Sequence, residues 1–232
     1  MSAGVARLVQ VMDTLRSPGG CPWDAEQTHE SLTAYALEET YELIEAIETG
    51  TRDDMREELG DVLLQVVFHA RMAQEHAEAP FDIDDVAHAV ADKLIERHPH
   101  VFEDDGEQLT AQDTHARWER IKKETKKRES VMDGVPAAQP ALARAQKVLS
   151  RASRAGLDVR DPAGVGIGQQ LLALVARAQA EGVDAEAALR DATRDYEAAA
   201  REAETASAVS TASAISTDSS PPAETVTDGS LT

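Results

Sequence analysis

Five carboxylates in this chain have the spacing of a site. Glu38, Glu39 and Glu42 fall in the stretch LEETYE, and Glu58 and Asp61 in ELGD, with fifteen residues between Glu42 and Glu58. On a helix Glu39 and Glu42 are i, i+3 neighbours and Glu38 and Glu42 i, i+4 neighbours, so the three lie near one face. Glu58 and Asp61 repeat the i, i+3 spacing. Fifteen residues suffice to end one helix, turn, and return to the same level, which sets the acidic pairs opposite each other. Carboxylates clustered in this way repel, and some must take up protons unless a cation compensates. An all-oxygen donor set selects hard ions, Mg²⁺ or Mn²⁺, over zinc. A single acidic i, i+3 pair is ordinarily a solvated face. Two pairs on consecutive helices, beside Leu59 and Val62, are what point to a metal site. Glu45, Glu48, Asp53 and Asp54 read as solvated or capping residues, and Glu57 as either.

The elements that must carry these residues are helices. A first helix is expected over 4–16, ended by SPGG, with CPWD as a loop after it. The next runs from about Glu26 or Ser31 to Glu48, with Gly50 in a C-terminal cap position. Thr51 with Asp54 forms a capping box for a third helix reaching about Glu78. Leu59, Val62, Leu63, Val66, Val67, Ala70 and Ala73 form its apolar stripe. Pro80 stops it. A fourth helix spans about 83–97 with Ile83, Val86, Val90 and Leu94 inward. A fifth spans about 110–129 with Trp118 and Ile121 inward. No strand pattern competes, so the expected fold is all-α, an antiparallel helical bundle with short loops.

Composition bounds the function classes. The 232 residues carry a formal net charge of -20, which excludes broad binding to a nucleic-acid backbone, since that needs Lys/Arg patches. A phosphorylated small molecule can still bind through a bridging cation. Cys21 is the one cysteine, so no intrachain disulfide forms and a reducing compartment fits. With no signal-like N-terminus and no run of 18 apolar residues, the expected location is cytoplasmic and off the membrane. His98 and His100 read as shaping a helix end around Pro99, Trp23 as a packing anchor, and Cys21 as a small buried residue. EQTH at 26–29 has the E-x-x-H form of di-iron bundles, but a second copy is missing.

The order E-E-x-x-E, spacer, E-x-x-D resembles the signature of the MazG family of nucleoside triphosphate pyrophosphohydrolases. GGCPWDAEQTHESL at 19–32, GDVLLQVVFHARMA at 60–73, KLIERHPHVF at 93–102 and RWERIKKE at 117–124 resemble the family in the same order, over about residues 5–130. The resemblance implies an all-α fold in which two subunits complete a four-helix core, as a homodimer or higher homo-oligomer. It implies Mg²⁺-dependent cleavage of NTPs or dNTPs between the α- and β-phosphates, a nucleotide-pool house-cleaning reaction. By position it makes Glu39, Glu42, Glu58 and Asp61 the metal ligands and Glu38 a supporting or water-orienting group. Lys93 and Arg97 become phosphate ligands. Trp118 becomes a nucleoside-side residue that stacks on the base, although a core position on the last helix reads nearly as well.

The remaining chain divides in two. Residues 135–204 are Ala-rich and helical and resemble a second MazG domain stripped of its site. Gly166 and Gln169 stand where acidic ligands belong, and Asp195 and Ala199 where the phosphate-binding Lys and Arg belong. Residues 205–232, Ser/Thr/Ala-rich and without Lys or Arg, are expected to be a disordered tail. Residues 1–134 are then the catalytic domain. The alternative is a non-catalytic regulatory or interaction bundle with a vestigial acidic site.

Overall fold

The computed structural model describes residues 2–102, 110, 113–114, 117–118, 121, 129–159 and 164–217, the last eleven of them as backbone only. The chain divides into two compact units, Met1–Lys126 and Lys127–Thr232. Both are built from helices, and among the described residues there is no strand.

In the first unit α1 (Ala3–Arg16) is followed by a short α2 (Pro22–Glu26), α3 (Thr33–Glu48), α4 (Arg52–Ala73), α5 (Ile83–Arg97) and a single turn, α6 (Pro99–Phe102). CPWD, expected as a loop, instead opens α2. Pro22 sits at its first position, where a missing N–H costs nothing. The loop after α2 is closed by reciprocal bonds between Thr28 and Ser31, at 2.9 and 3.2 Å. It delivers Leu32, 1% exposed, into the core, so α3 starts at Thr33 and not at Glu26 or Ser31.

The core joins Met12 of α1, Leu32, and Val67, Phe68 and Met72 of α4. Leu8, Leu15, Leu63, Leu64 and Ile83 pack around it. Polar contacts reinforce the α1–α4 pairing. Arg16 donates to Glu75 at 2.8 and 2.9 Å and to the backbone oxygens of Asp24 and Gln27. Arg71 bridges Asp13 and Glu75. Helix α4 ends at Ala73, short of Glu78, because His76 Nδ1 accepts the backbone N–H groups of Glu78 and Ala79 and turns the chain before Pro80.

The expected apolar stripe of α4 is divided. Val67, Ala70 and Ala73 are buried, whereas Leu59 and Val66 are 50% and 40% exposed. Val90 and Leu94 of α5 are likewise more than 40% exposed. Trp23, expected as a packing anchor, is half exposed and meets Tyr35 edge-on at 6.0 Å. Cys21 is only partly buried.

The helix expected over 110–129 lies largely outside the described residues, as does most of RWERIKKE. Residues 113, 114, 117, 118 and 121 are helical, with Trp118 and Ile121 partly buried.

The second unit contains α7 (Ala141–Arg154), α8 (Ile167–Ala180) and α9 (Ala185–Thr217). Among the described residues, Val175 is its one buried hydrophobic side chain. Helix α9 continues through residues 205–217, where a disordered tail is expected. Residues 218–232 lie outside the described residues.

Candidate metal centre

The acidic pairs are brought together by the turn between α3 and α4. Thr49 ends α3, and Gly50 follows with its N–H donated to Ala46 O. The glycine is required by crowding, not by its backbone angles. A Cβ there would stand 2.8 Å from Ala46 Cα and 2.9 Å from its oxygen. Thr51 then starts α4 with both halves of the expected capping box. Its hydroxyl accepts from Asp54 N, and Asp54 accepts from Thr51 N at 2.7 Å. Asp54 is thereby assigned to capping and removed from the site. Among the described helices α3 and α4 form the most extensive pairing.

Across this hairpin Glu39 faces Glu58 and Asp61. One carboxylate oxygen from each lies within 4.8 Å of the other two, and all three residues are partly buried. Burial, then the charges of Asp61, Glu42, Glu58 and Glu38, hold the Glu39 carboxyl above its ordinary range. Glu58 is raised in the same direction by lost hydration and then by Glu42, Asp61, Glu57 and Asp54. Lost hydration is the larger cause, and the repulsion beside it is the like-charge effect expected from the spacing. The donors are all oxygens, converge on one point, and are electrostatically frustrated without a cation. They fit a hard divalent ion.

Glu42 and Glu38 are exposed and stand outside the three-oxygen group, although both charges act on Glu39. Lys93 is exposed on α5, and Arg97, one turn further, is buried. The Arg97 guanidinium lies over the Trp118 ring, 5.3 Å from its centroid, and its Nε is enclosed without a hydrogen-bond partner. The structure thus joins Arg97 to Trp118 as a cation–π pair. His98 accepts its expected structural part, with Nδ1 2.7 Å from Leu94 O at the end of α5. Glu26 and His29 do not share a helix, which disposes of the E-x-x-H reading.

Two features escaped the sequence reading. His29 and His69, forty residues apart, stack with ring centroids 5.0 Å apart and Nδ1 atoms 2.7 Å apart. Burial and then the charge of His29 depress the His69 pKa. Gln65 sits one helical turn beyond Asp61 on α4, and its Oε1 is buried with no hydrogen-bond partner. The i, i+4 spacing from Asp61 was available in the sequence. The His pair was not, because a loop and a helix meet there.

The MazG nucleotide pyrophosphohydrolase domain profile matches residues 27–102, which include all five carboxylates. An uncharacterised 26.1 kDa protein from Streptomyces cacaoi is 54% identical over 199 residues, 85% of this chain and 81% of that protein. A protein from Thermotoga maritima named nucleoside triphosphate pyrophosphohydrolase/pyrophosphatase MazG is 42% identical over 213 residues. That alignment covers 82% of this chain and 81% of the relative. The nucleoside triphosphate pyrophosphohydrolase of Mycobacterium tuberculosis is 48% identical over 201 residues, 87% of this chain but 58% of the longer relative.

Proposed function

The chain belongs to the MazG family, and from that premise we propose that it is a divalent-metal-dependent nucleoside triphosphate pyrophosphohydrolase acting on NTPs or dNTPs. Water adds to the α-phosphorus, the bond to the oxygen bridging the α- and β-phosphates breaks, and NMP and pyrophosphate leave. The observation that carries this reading is the convergence of Glu39, Glu58 and Asp61 within 4.8 Å.

These three carboxylates would hold the cation, Mg²⁺ or Mn²⁺, with Glu42 joining from the adjacent turn of α3. Such an ion supplies charge neutralisation at the phosphates and a lowered pKa for bound water. The chain's own groups do the rest. Glu38, beside Glu39, orients the attacking water. Lys93 is a mobile point charge for phosphate oxygens, and Arg97, fixed over Trp118, offers a planar fork whose Nε is unpaired. Trp118 serves the nucleoside side. An acidic chain of net charge -20 then meets an anionic substrate only where a cation and these two bases reverse the local sign.

The apolar faces left open on α3, α4 and α5, including Tyr41, Ile47, Leu59 and Leu94, support a homodimer or higher homo-oligomer that covers them. Among the described residues no helix is long and apolar enough to cross a membrane. With its single cysteine, the protein fits a cytoplasmic house-cleaning role.

The test is release of pyrophosphate and NMP from a panel of NTPs and dNTPs with Mg²⁺, with Mn²⁺, and with EDTA. Metal-dependent pyrophosphate release is expected. Orthophosphate as the product, or no release with either metal, would overturn the reading.

A further inference from the structure

The contact between His29 and His69 stands apart from the acidic cluster and joins a loop to a helix. His29 lies on the loop between α2 and α3, and His69 on α4, about two turns beyond Asp61. Their Nδ1 atoms are 2.7 Å apart, the ring planes differ by 7°, and the centroids are 5.0 Å apart. Both nitrogens therefore fall close to the line between the rings. At that distance one Nδ1 must donate and the other accept. A neutral pair satisfies this in either of two tautomeric arrangements. One added proton is also tolerated, because it can sit on the remaining Nε2. A fourth N–H is not. Both Nδ1 atoms would then carry hydrogens pointing at each other, and two positive rings would face across the former bond.

The loop is where this bond matters. Thr33 Oγ1 donates to His29 O at 3.3 Å, and Leu32 N donates to Thr28 O at 3.3 Å. Residues 28–33 thus close on themselves while Leu32, 1% exposed, enters the core. The His29 ring ties this closed loop to α4. Helix α3 leaves from it and carries Glu39 toward Glu58 and Asp61 on the same α4.

The other groups around the pair are apolar or already engaged. On the His69 side an apolar groove is lined by Ala36 and Thr40 of α3 and by Phe81 and Val86, none of which ionises. On the His29 side a cavity of about 320 Å³ is shared with Arg16 of α1, Glu30, Glu75 and His76. Arg16 and Glu75 pair with each other, and His76 Nδ1 accepts two backbone N–H groups. Glu30 is held below the ordinary carboxylate range by its own backbone, then by Thr28, with the charge of His29 a lesser cause.

We propose that His29 and His69 form an acid-operated latch: one shared Nδ1 proton holds the loop, and with it the start of α3, on α4, and a second Nδ1 proton releases it. Burial and then the charge of His29 depress His69 below its ordinary 6.5. The unfolded chain takes up that proton near 6.5 and the folded pair only at lower pH, so the latch stabilises the fold above 6.5 and is lost as pH falls below it. It acts on the frame of the first unit, whichever phosphate bond the protein cleaves.

The test is the Tm of the full chain between about pH 7.5 and 5.5, measured beside His69→Asn. The Asn amide oxygen stands near the position of Nδ1 and accepts from His29 at every pH. Across that interval the unsubstituted protein should lose at least about 3 °C more than His69→Asn. His29→Ala, on an exposed loop position, should remove the same acid-dependent part, and the double variant should remove no more. Nitrogen NMR spectra of the unsubstituted protein should show the two rings titrating in linked steps, the second below 6.5. Hydrogen-exchange protection of residues 28–33 should fall with that second step. Tm losses that run parallel in all these proteins would reduce the pair to a packing contact and overturn the proposal. Independent titration of the two rings would do the same. So would an acid loss that persists in His69→Asn but disappears in His76→Asn, which would put the switch on the third histidine.

Discussion

Helix α4 and helix α8 both begin with a side chain three residues on accepting the cap N–H, and they end with different chemistry. In α4 Thr51 and Asp54 exchange the capping-box bonds, and the next turn presents Glu58 and Asp61 to Glu39. In α8 Gly166 and Gln169, which the family resemblance sets in the positions of acidic ligands, form the helix start themselves. Gln169 Oε1 accepts the Gly166 N–H at 2.9 Å. A residue occupied in that way is not a ligand in waiting. The second unit uses these two residues to start a helix, and among the described residues Glu39, Glu58 and Asp61 form the one group of three close metal-ligating side chains. Crowded carboxylates in one unit stand against a helix-starting amide in the other.

The largest effect that could break this comparison lies at the carboxylates. Glu58→Gln or Asp61→Asn should lower Mg²⁺-dependent turnover at least about a hundredfold without loss of helicity, as expected when a group stabilising transition-state charge is removed. Glu42→Gln should fall with them. Turnover unchanged in Glu42→Gln would confine the metal set to the three convergent residues.

Next, a chain ending at Gly134 should retain pyrophosphohydrolase activity, because the second unit contributes no described ligand. Loss of activity in a folded, shortened protein would give residues 135–204 a catalytic part.

A smaller effect tests the frame of the first unit. Arg16, with a side chain 9% exposed, satisfies two backbone carbonyls as well as Glu75. Arg16→Ala should cost about 2–3 kcal/mol by orphaning those acceptors, read as a lowered Tm.

The smallest effect is one of pH. Glu39 and Glu58 have folded pKa values raised above 4.5, so the folded state binds protons more readily than the unfolded one. Their contribution to stability is fully present below 4.5 and is lost as pH rises through the raised values. Glu75, depressed first by its bond to Arg16, and His69 act in the opposite direction, losing stability as pH falls. The metal-free protein compared with Glu39→Gln isolates the first contribution. The substitution should raise Tm at neutral pH, and the gain should vanish as the medium is acidified or Mg²⁺ is added to the unsubstituted protein. A gain that is independent of pH would mean the carboxylates are not strained.

Much of the hairpin was legible beforehand because its determinants are local. The i, i+3 spacing of Glu39/Glu42 and Glu58/Asp61, the capping pair Thr51/Asp54 and the turn at Gly50 are all fixed within one or two helical turns. The misreadings share another cause. CPWD became a helix through Pro22, and α4 stopped early through a side-chain bond from His76. In each case a weak local preference was outweighed by a neighbouring interaction.

The sequence by itself determined that the chain is all-α and which residues could hold a hard cation. Only the tertiary structure decided that Glu39, Glu58 and Asp61 converge while Glu42 stands apart, that Arg97 lies on Trp118, that His29 meets His69, and that Gln65 Oε1 is enclosed with no partner. Periodicity assigns a residue to one side of a helix, but the packing of α3 and α5 on α4 decides which part of that side is covered, which is left open, and which polar atoms are left without water.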